Sequence, residues 1–148
     1  MFKHILVPID GSATSLRAID KATSLAKAFG SKVTALYVID PYPFTGVGAD
    51  FALGQDQYLD AAKSEANAAM EAARVQAQNV GATIDSLVTE AHTAWRGIID
   101  TATQLGVDLL VMGSHGRRGL EKLVLGSVTQ SVLAHTRITT LVVRDAAD

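Results

Sequence analysis

Residues 3–39 read KHILVPIDGSATSLRAIDKATSLAKAFGSKVTALYVI. Two short apolar runs rich in β-branched residues, Lys3 to Ile9 and Lys32 to Ile39, flank a segment of helical period. In that segment Ile19, Ala22, Ala26 and Phe29 recur three or four positions apart. Ser12 or Ser15 can cap its start, and Gly30 suits the left-handed residue after its end, so residues 13 to 29 are predicted to be a helix. Strand, helix and strand in this order form a βαβ unit, which requires the two strands to run parallel.

The same alternation continues outward. Further apolar runs stand at Thr83 to Glu90, Leu109 to Met112 and Thr139 to Val143. From Gln55 to Val80, one helical stripe holds Leu59, Ala62, Ala66, Ala69, Ala73, Ala77 and Val80. Asp60, Lys63, Asn67, Glu71, Arg74 and Gln78 lie opposite, and the alanines let this helix approach a sheet closely. A third helix is predicted from Trp95, Ile98, Ile99, Ala102 and Leu105 with Gly106 as its stop, and a fourth from Val128, Val132 and Leu133 after Gly126-Ser127. Two stretches break the rhythm: Asp40 to Gly54, with Pro41, Pro43, Gly46, Gly48 and Gly54, and Gly113 to Leu125, with Arg117, Arg118 and Lys122. No internal repeat, low-complexity tract or linker interrupts the chain, so residues 1–148 are expected to form one domain.

Five strands joined by right-handed crossovers that cover both faces give an open, doubly wound α/β sheet with four helices, expected in the order 3-2-1-4-5. That order sets the carboxyl ends of strands 1 and 4 side by side where the winding reverses. Asp10 and the loop beginning at Gly113 then face one crevice, the place where such sheets hold ligands.

Composition narrows the function classes. The 148 residues are 48% hydrophobic and 19% charged, enough to bury a core, and a net charge of -2 leaves no basic excess to coat nucleic acid or an anionic membrane. Without cysteine, the chain has no disulfides, thiolate metal sites or thiol catalysis, which fits a cytoplasmic setting. The apolar start is broken by Pro8 and stops at Asp10, short of a membrane span and without a signal-peptide pattern, so a soluble, unprocessed protein is expected. His4, His92 and His135 lack ligand spacing, and no dedicated metal site is expected. Trp95 begins the third helix at a core-type position and is read as packing.

Gly113, Gly116 and Gly126, with Ser127 after them, bracket a loop that leaves a buried strand and enters a helix. Glycines there allow backbone N–H groups to approach an anion, and the amides of Ser127, Val128 and Thr129 add the positive end of a helix dipole, which suits a polyphosphate. The same glycines also fit ordinary turns with Ser127 as a cap. The spacing matches neither G-x-x-x-x-G-K-[ST] nor G-x-G-x-x-G, which disfavours a P-loop NTPase or a usual dinucleotide fold. Asp10 either accepts from ribose hydroxyls or caps the helix near Ser12. His115 can meet phosphate or metal-bound water, or simply bond solvent. Arg117, Arg118 and Lys122 can clamp terminal phosphates or remain solvated.

The run Val111-Met112-Gly113-Ser114-His115-Gly116, nine residues, then Gly126-Ser127-Val128-Thr129 closely resembles the G-x2-G-x9-G-[ST] signature of the universal stress proteins. Ile5-Leu6-Val7-Pro8-Ile9-Asp10-Gly11-Ser12, Leu36-Tyr37-Val38-Ile39-Asp40 and Leu141-Val142-Val143-Arg144 extend the resemblance over nearly the whole chain. It implies an open five-stranded α/β domain that dimerises and binds ATP, or ADP or AMP, with Mg²⁺ carried by the nucleotide. Adenosine would lie against Pro8, Ile9, Asp10 and the Val38 backbone, with Met112 beside the base or ribose. The phosphates would lie over Gly113, Gly116, Gly126, Ser127, Val128 and Thr129, with His115 and Arg117 alongside. Ile138-Thr139-Thr140 departs from the family, which often has a proline before the last strand.

The expected function is therefore a nucleotide-dependent regulator in a stress response, with slow or no hydrolysis, no assigned catalytic residue and a regulatory protein partner of unknown identity. A slow ATPase or nucleotidyl or phosphoryl transferase on the same pocket is the alternative, although the loop places no obvious carboxylate base at the γ-phosphate. A nucleotide-free interaction module is a third option, opposed on the ground that no packing need demands all three glycines. Leu141, Val142 and Val143, at the sheet edge, are expected to pair with the same strand of a second chain.

Overall fold

A computed structural model describes residues 1–41, 49–116 and 124–144. Its elements alternate as β1 (His4–Pro8), α1 (Ala13–Phe29), β2 (Lys32–Ile39), α2 (Ala49–Asn79), β3 (Asp85–Glu90), α3 (Ala94–Leu105), β4 (Leu109–Gly113), α4 (Ser127–His135) and β5 (Thr140–Val143). The five strands form one sheet in the order β3-β2-β1-β4-β5, all neighbours parallel, as the alternation predicted. Central strands in such a sheet are covered on both sides, and β4 is buried along its whole length.

Period-2 alternation divides the core in two. Ile5, Val7 and Ile9, with Val33, Ala35 and Val111, meet Ala18, Ile19 and Ala22 of α1 and Ala69, Ala73 and Ala77 of α2. Leu6, Leu36, Leu110 and Met112 point the other way, onto Ile98 and Ala102 of α3 and Val132 of α4. The alanine stripe of α2 holds at Ala66, Ala69, Ala73 and Ala77, joined by Met70, whereas Val80 lies past the helix end and is exposed. In α4 only Val132 of the three predicted apolar residues is buried; Val128 and Leu133 are exposed.

Helix ends follow local chemistry. Ser12 is the N-cap of α1, its Oγ accepting from the Ser15 amide at 3.2 Å, and Ser15 Oγ donates back to the Ser12 carbonyl at 2.8 Å. Gly30 and Gly106 close α1 and α3 at φ of 71° and 68°, where a side chain would be strained. The irregular stretch expected to run to Gly54 is shorter, because α2 already begins at Ala49 and contains Gly54. An interior glycine costs a helix only about 1 kcal/mol. Two ties hold this first part of α2: Tyr58 Oη donates to the Asp40 carbonyl at 2.9 Å and Gln55 Nε2 to the Pro41 carbonyl at 3.2 Å. Pro43, Gly46 and Gly48 lie outside the described residues.

Opposite the carboxyl ends of the strands, Asp108 fastens the start of β1. Its carboxylate accepts from the Lys3 amide at 2.9 and 3.1 Å and from the His4 amide at 3.0 Å. The Lys3 amide first, and the His4 amide after it, hold this carboxyl below its usual range. A depressed carboxyl contributes stability that is complete at neutral pH and is lost as pH falls through the folded value. Asp108→Ala is therefore expected to lower the melting temperature by a few degrees at pH 7, the loss of hydrogen bonds to a charged group. That deficit should shrink below about pH 4; a deficit independent of pH would refute the assignment.

Candidate functional site

The chain leaves β1 toward α1 on one face and β4 toward α4 on the other, so no crossover covers the gap between their carboxyl ends. A cavity of about 490 Å³ opens there. At the end of β1 it is lined by Pro8 and the following Ile9 and Asp10, from β2 by Val38, and from β4 by Met112 and Gly113. His115 and Gly116 of the following loop, and Gly126, Ser127, Val128 and Thr129 at the head of α4, complete the expected set on its wall. Arg117, like Arg118 and Lys122, lies outside the described residues.

Four lining residues escaped sequence reading: Ser15, Leu36, Ala94 and Ile98. Their signal was present in the periodicities. Leu36 stands two positions before Val38 on the same strand face, and Ala94 and Ile98 stand one turn apart on α3. With Met112 they make the cavity floor apolar, suited to a flat aromatic ring, while Asp10, Ser15 and the head of α4 bring polar groups to the wall.

Each polar feature has a local cause. Gly11, at φ 85°, turns the chain out of β1 so that the Ser12 amide donates to Asp10 Oδ1 at 2.9 Å. The Asp10 carboxylate thus serves the entry of α1 and also lines the cavity, while Ser12 is the cap proper. At α4 the N-cap is Gly126, which offers no side-chain acceptor to the first-turn amides of Ser127, Val128 and Thr129. The Gly126 amide is already committed to the Ser114 carbonyl at 2.7 Å, and Thr129 Oγ1 donates to the Gly113 carbonyl at 2.9 Å. An anion at this end would therefore meet backbone amides of the first turn. His115 is half-buried, its Nδ1 3.2 Å from the Gly116 carbonyl.

The glycines of the loop require a correction. Gly113, Gly116 and Gly126 are not among the glycines with positive φ, so none is needed here for a left-handed turn. Space constrains Gly113 most, Gly126 less, and Gly116 only against the movable end of the Asp10 side chain. A Cβ on Gly113 would lie 2.7 Å from Thr14 Cγ2, one on Gly126 would lie 3.1 Å from His115 Cα, and one on Gly116 would overlap Asp10 Oδ2. Packing accounts for Gly113 and in part for Gly126, so the presence of the glycines alone does not distinguish a filled pocket from an empty one.

Among the other expected non-ligands, His4 Nε2 is 2.8 Å from Thr34 Oγ1 and His92 Nδ1 is 3.4 Å from Asp40 Oδ1. Trp95 packs beside the α3–α4 core and stacks on His135, ring centroids 4.2 Å apart. No helix among the described residues is long and apolar enough to cross a membrane.

Residues 1–144 match the family model for the universal stress protein family. A universal stress protein of Methanocaldococcus jannaschii, MJ0531, is 34% identical over 145 residues, covering 97% of this chain and 83% of the relative. The solved structure of universal stress protein UspA from Lactobacillus plantarum superposes with a TM-score of 0.83 at 26% identity, covering 96% of this chain and 97% of that one. A universal stress protein solved in complex with cAMP shares the fold with a TM-score of 0.72 at 24% identity, covering 98% of each chain.

The packing of Gly113 is testable without any ligand. Gly113→Ala is expected to cost about 1–3 kcal/mol in urea unfolding through overpacking against Thr14. Thr14→Ser, which removes the clashing methyl and keeps the hydroxyl, should recover part of that loss. An equal cost of the alanine in both backgrounds would show that Thr14 is not the obstacle.

Proposed function

As the chain belongs to the universal stress protein family, we propose that it is an adenine-nucleotide-binding regulator whose bound nucleotide sets its shape or its choice of partner. One observation carries this: a single cavity brings together an apolar floor, a carboxylate and a helix start whose N-cap is a glycine. The base rests on the floor made by Leu36, Val38, Ile98 and Met112. Asp10 accepts from the ribose, and the polyphosphate reaches the amides of Ser127, Val128 and Thr129, where the helix dipole favours negative charge. The volume lies within the range of small-molecule sites. That a protein of this fold is solved with cAMP supports the base and ribose at fold level only. Mg²⁺ arrives with the nucleotide and offsets its phosphate charge; the cysteine-free composition supports a cytoplasmic setting.

Mass spectrometry of the small molecule released on denaturing the purified protein is expected to find an adenine nucleotide. Added MgATP should bind one site per chain and raise the melting temperature, with stabilisation of about 2.7 kcal/mol at a concentration one hundred times Kd. Calorimetry and melting that do not respond to millimolar MgATP would sink the proposal. Turnover is expected to stay well below about 1 per second, since no activated base or nucleophile is evident among the described residues that line the cavity. Faster hydrolysis, abolished by His115→Ala, would favour an ATPase instead.

The chain is further proposed to form a homodimer through β5. The Thr139 and Val143 carbonyls accept from β4, so by the alternation of a parallel ladder the Thr140 and Val142 amides face outward from the sheet edge. Leu141 is exposed beside them. An antiparallel pair of β5 strands about a two-fold axis satisfies both edges. Val142→Pro removes an outward donor and should weaken dimerisation in light scattering; wild-type monomers at micromolar concentration, or an undiminished variant dimer, would contradict this interface.

A further inference from the structure

We propose that Gly97, which stands behind the cavity wall, is a positioning residue that sets the width of the base end and so the size of ring it admits. This rests on the nucleotide-binding role proposed above. Gly97 is buried in the first half of α3, between Ala94 and Ile98, the two residues that line the cavity from that helix. Leu36 and Val38 line it from β2, so the distance between α3 and β2 decides what fits there. A glycine weakens a helix interior relative to alanine, and α3 carries one where it meets β2. Its surroundings account for it. A Cβ built on Gly97 would lie 2.8 Å from Ala91 Cβ and 3.1 Å from Val38 Cγ1, and contacts as short as the first are not tolerated between real side chains.

Neither neighbour turns aside easily. Ala91 Cβ is bonded directly to a backbone tied to the sheet, where the Ala91 amide donates to the Ile39 carbonyl at 2.9 Å. Val38 is β-branched, hence stiff at χ1, and stands on a strand held in register by β3. A side chain at position 97 therefore moves α3 off β2, and Ala94 and Ile98 travel with the helix. None of the three atoms nearest that Cβ belongs to α4, whose first turn faces the phosphates in the proposed site. The widening thus acts on the ring. An adenine that filled the narrow end loses contact on one side, since a gap of about 0.5–1 Å forfeits roughly a quarter to a half of each van der Waals contact. A larger ring system gains room.

The test compares ATP with 1,N6-etheno-ATP, which keeps the ribose and the three phosphates and enlarges the base by a fused ring, on wild type, Gly97→Ala, Ala91→Gly and the double variant. Polar groups that the fused ring blocks are blocked in all four proteins, so a change in the ratio of affinities reports width. Wild type should prefer ATP by roughly tenfold, the scale on which an apolar pocket discriminates by size. Gly97→Ala should cut that preference to about threefold or less, by weakening ATP and sparing the etheno analogue. The double variant, in which the shorter contact is gone, should return most of it. An unchanged ratio in Gly97→Ala would overturn the proposal, as would a wild type that binds both alike or a double variant as permissive as Gly97→Ala. If wild type binds neither nucleotide, the proposed function fails and the width assignment with it; binding with an unchanged ratio defeats this proposal alone. Melting of the four proteins without ligand reads the contact separately: the loss caused by Gly97→Ala should largely vanish beside Ala91→Gly, and equal losses in both backgrounds refute it.

Discussion

Everything at the site depends on one topological constraint: β1 and β4 are neighbours whose following helices lie on opposite faces of the sheet. Right-handed crossovers leave no other way to wind a five-stranded parallel sheet outward in both directions from its centre. The carboxyl ends of the two strands cannot both be covered, and a gap forms between them. The same winding buries β1 and β4 on both faces, so the strand ends on either side of the gap belong to the packed centre of the sheet.

Within that gap, packing and recognition draw on the same residues. Gly113 admits the Thr14 side chain and so lets the start of α1 lie against the end of β4; Gly126 comes within reach of the His115 backbone and ties its amide to Ser114. These contacts bring the head of α4 close to the end of β4, and Thr129 Oγ1, bonded to the Gly113 carbonyl, locks that approach. A helix start with a glycine N-cap is thus held beside an apolar floor by contacts within the chain itself.

What was legible in the sequence was what local chemistry decides. Gly30 and Gly106 stop their helices because the chain turns left-handed there, and the strand runs alternate because two different helical layers meet their two faces. The start of α2 was not legible, since the prolines and glycines after Asp40 signal irregularity, while the ties from Tyr58 and Gln55 that support the first turns span a loop that no local pattern encodes. Leu36, Ala94 and Ile98 were legible in principle from periodicity but needed the strand order to be placed on the cavity floor.

The glycine loop marks the sharper limit. Its spacing is visible in the chain, yet the residues it meets, Thr14 at Gly113 and Asp10 at Gly116, lie on the other side of the sequence and reach it only through the fold. A spacing that satisfies packing would be retained by a protein of this architecture whether or not it held a nucleotide, provided α1 and α4 kept their approach to β4. Discrimination must then come from groups that packing does not require: an apolar surface left open at Leu36, Val38 and Met112, and first-turn amides at α4 that the glycine N-cap leaves without a side-chain acceptor. A fold that needed only to close would cap that helix with Ser or Asp and fill the cavity with a larger side chain, since both changes stabilise. This chain does neither, which supports the proposed nucleotide site over a packing remainder.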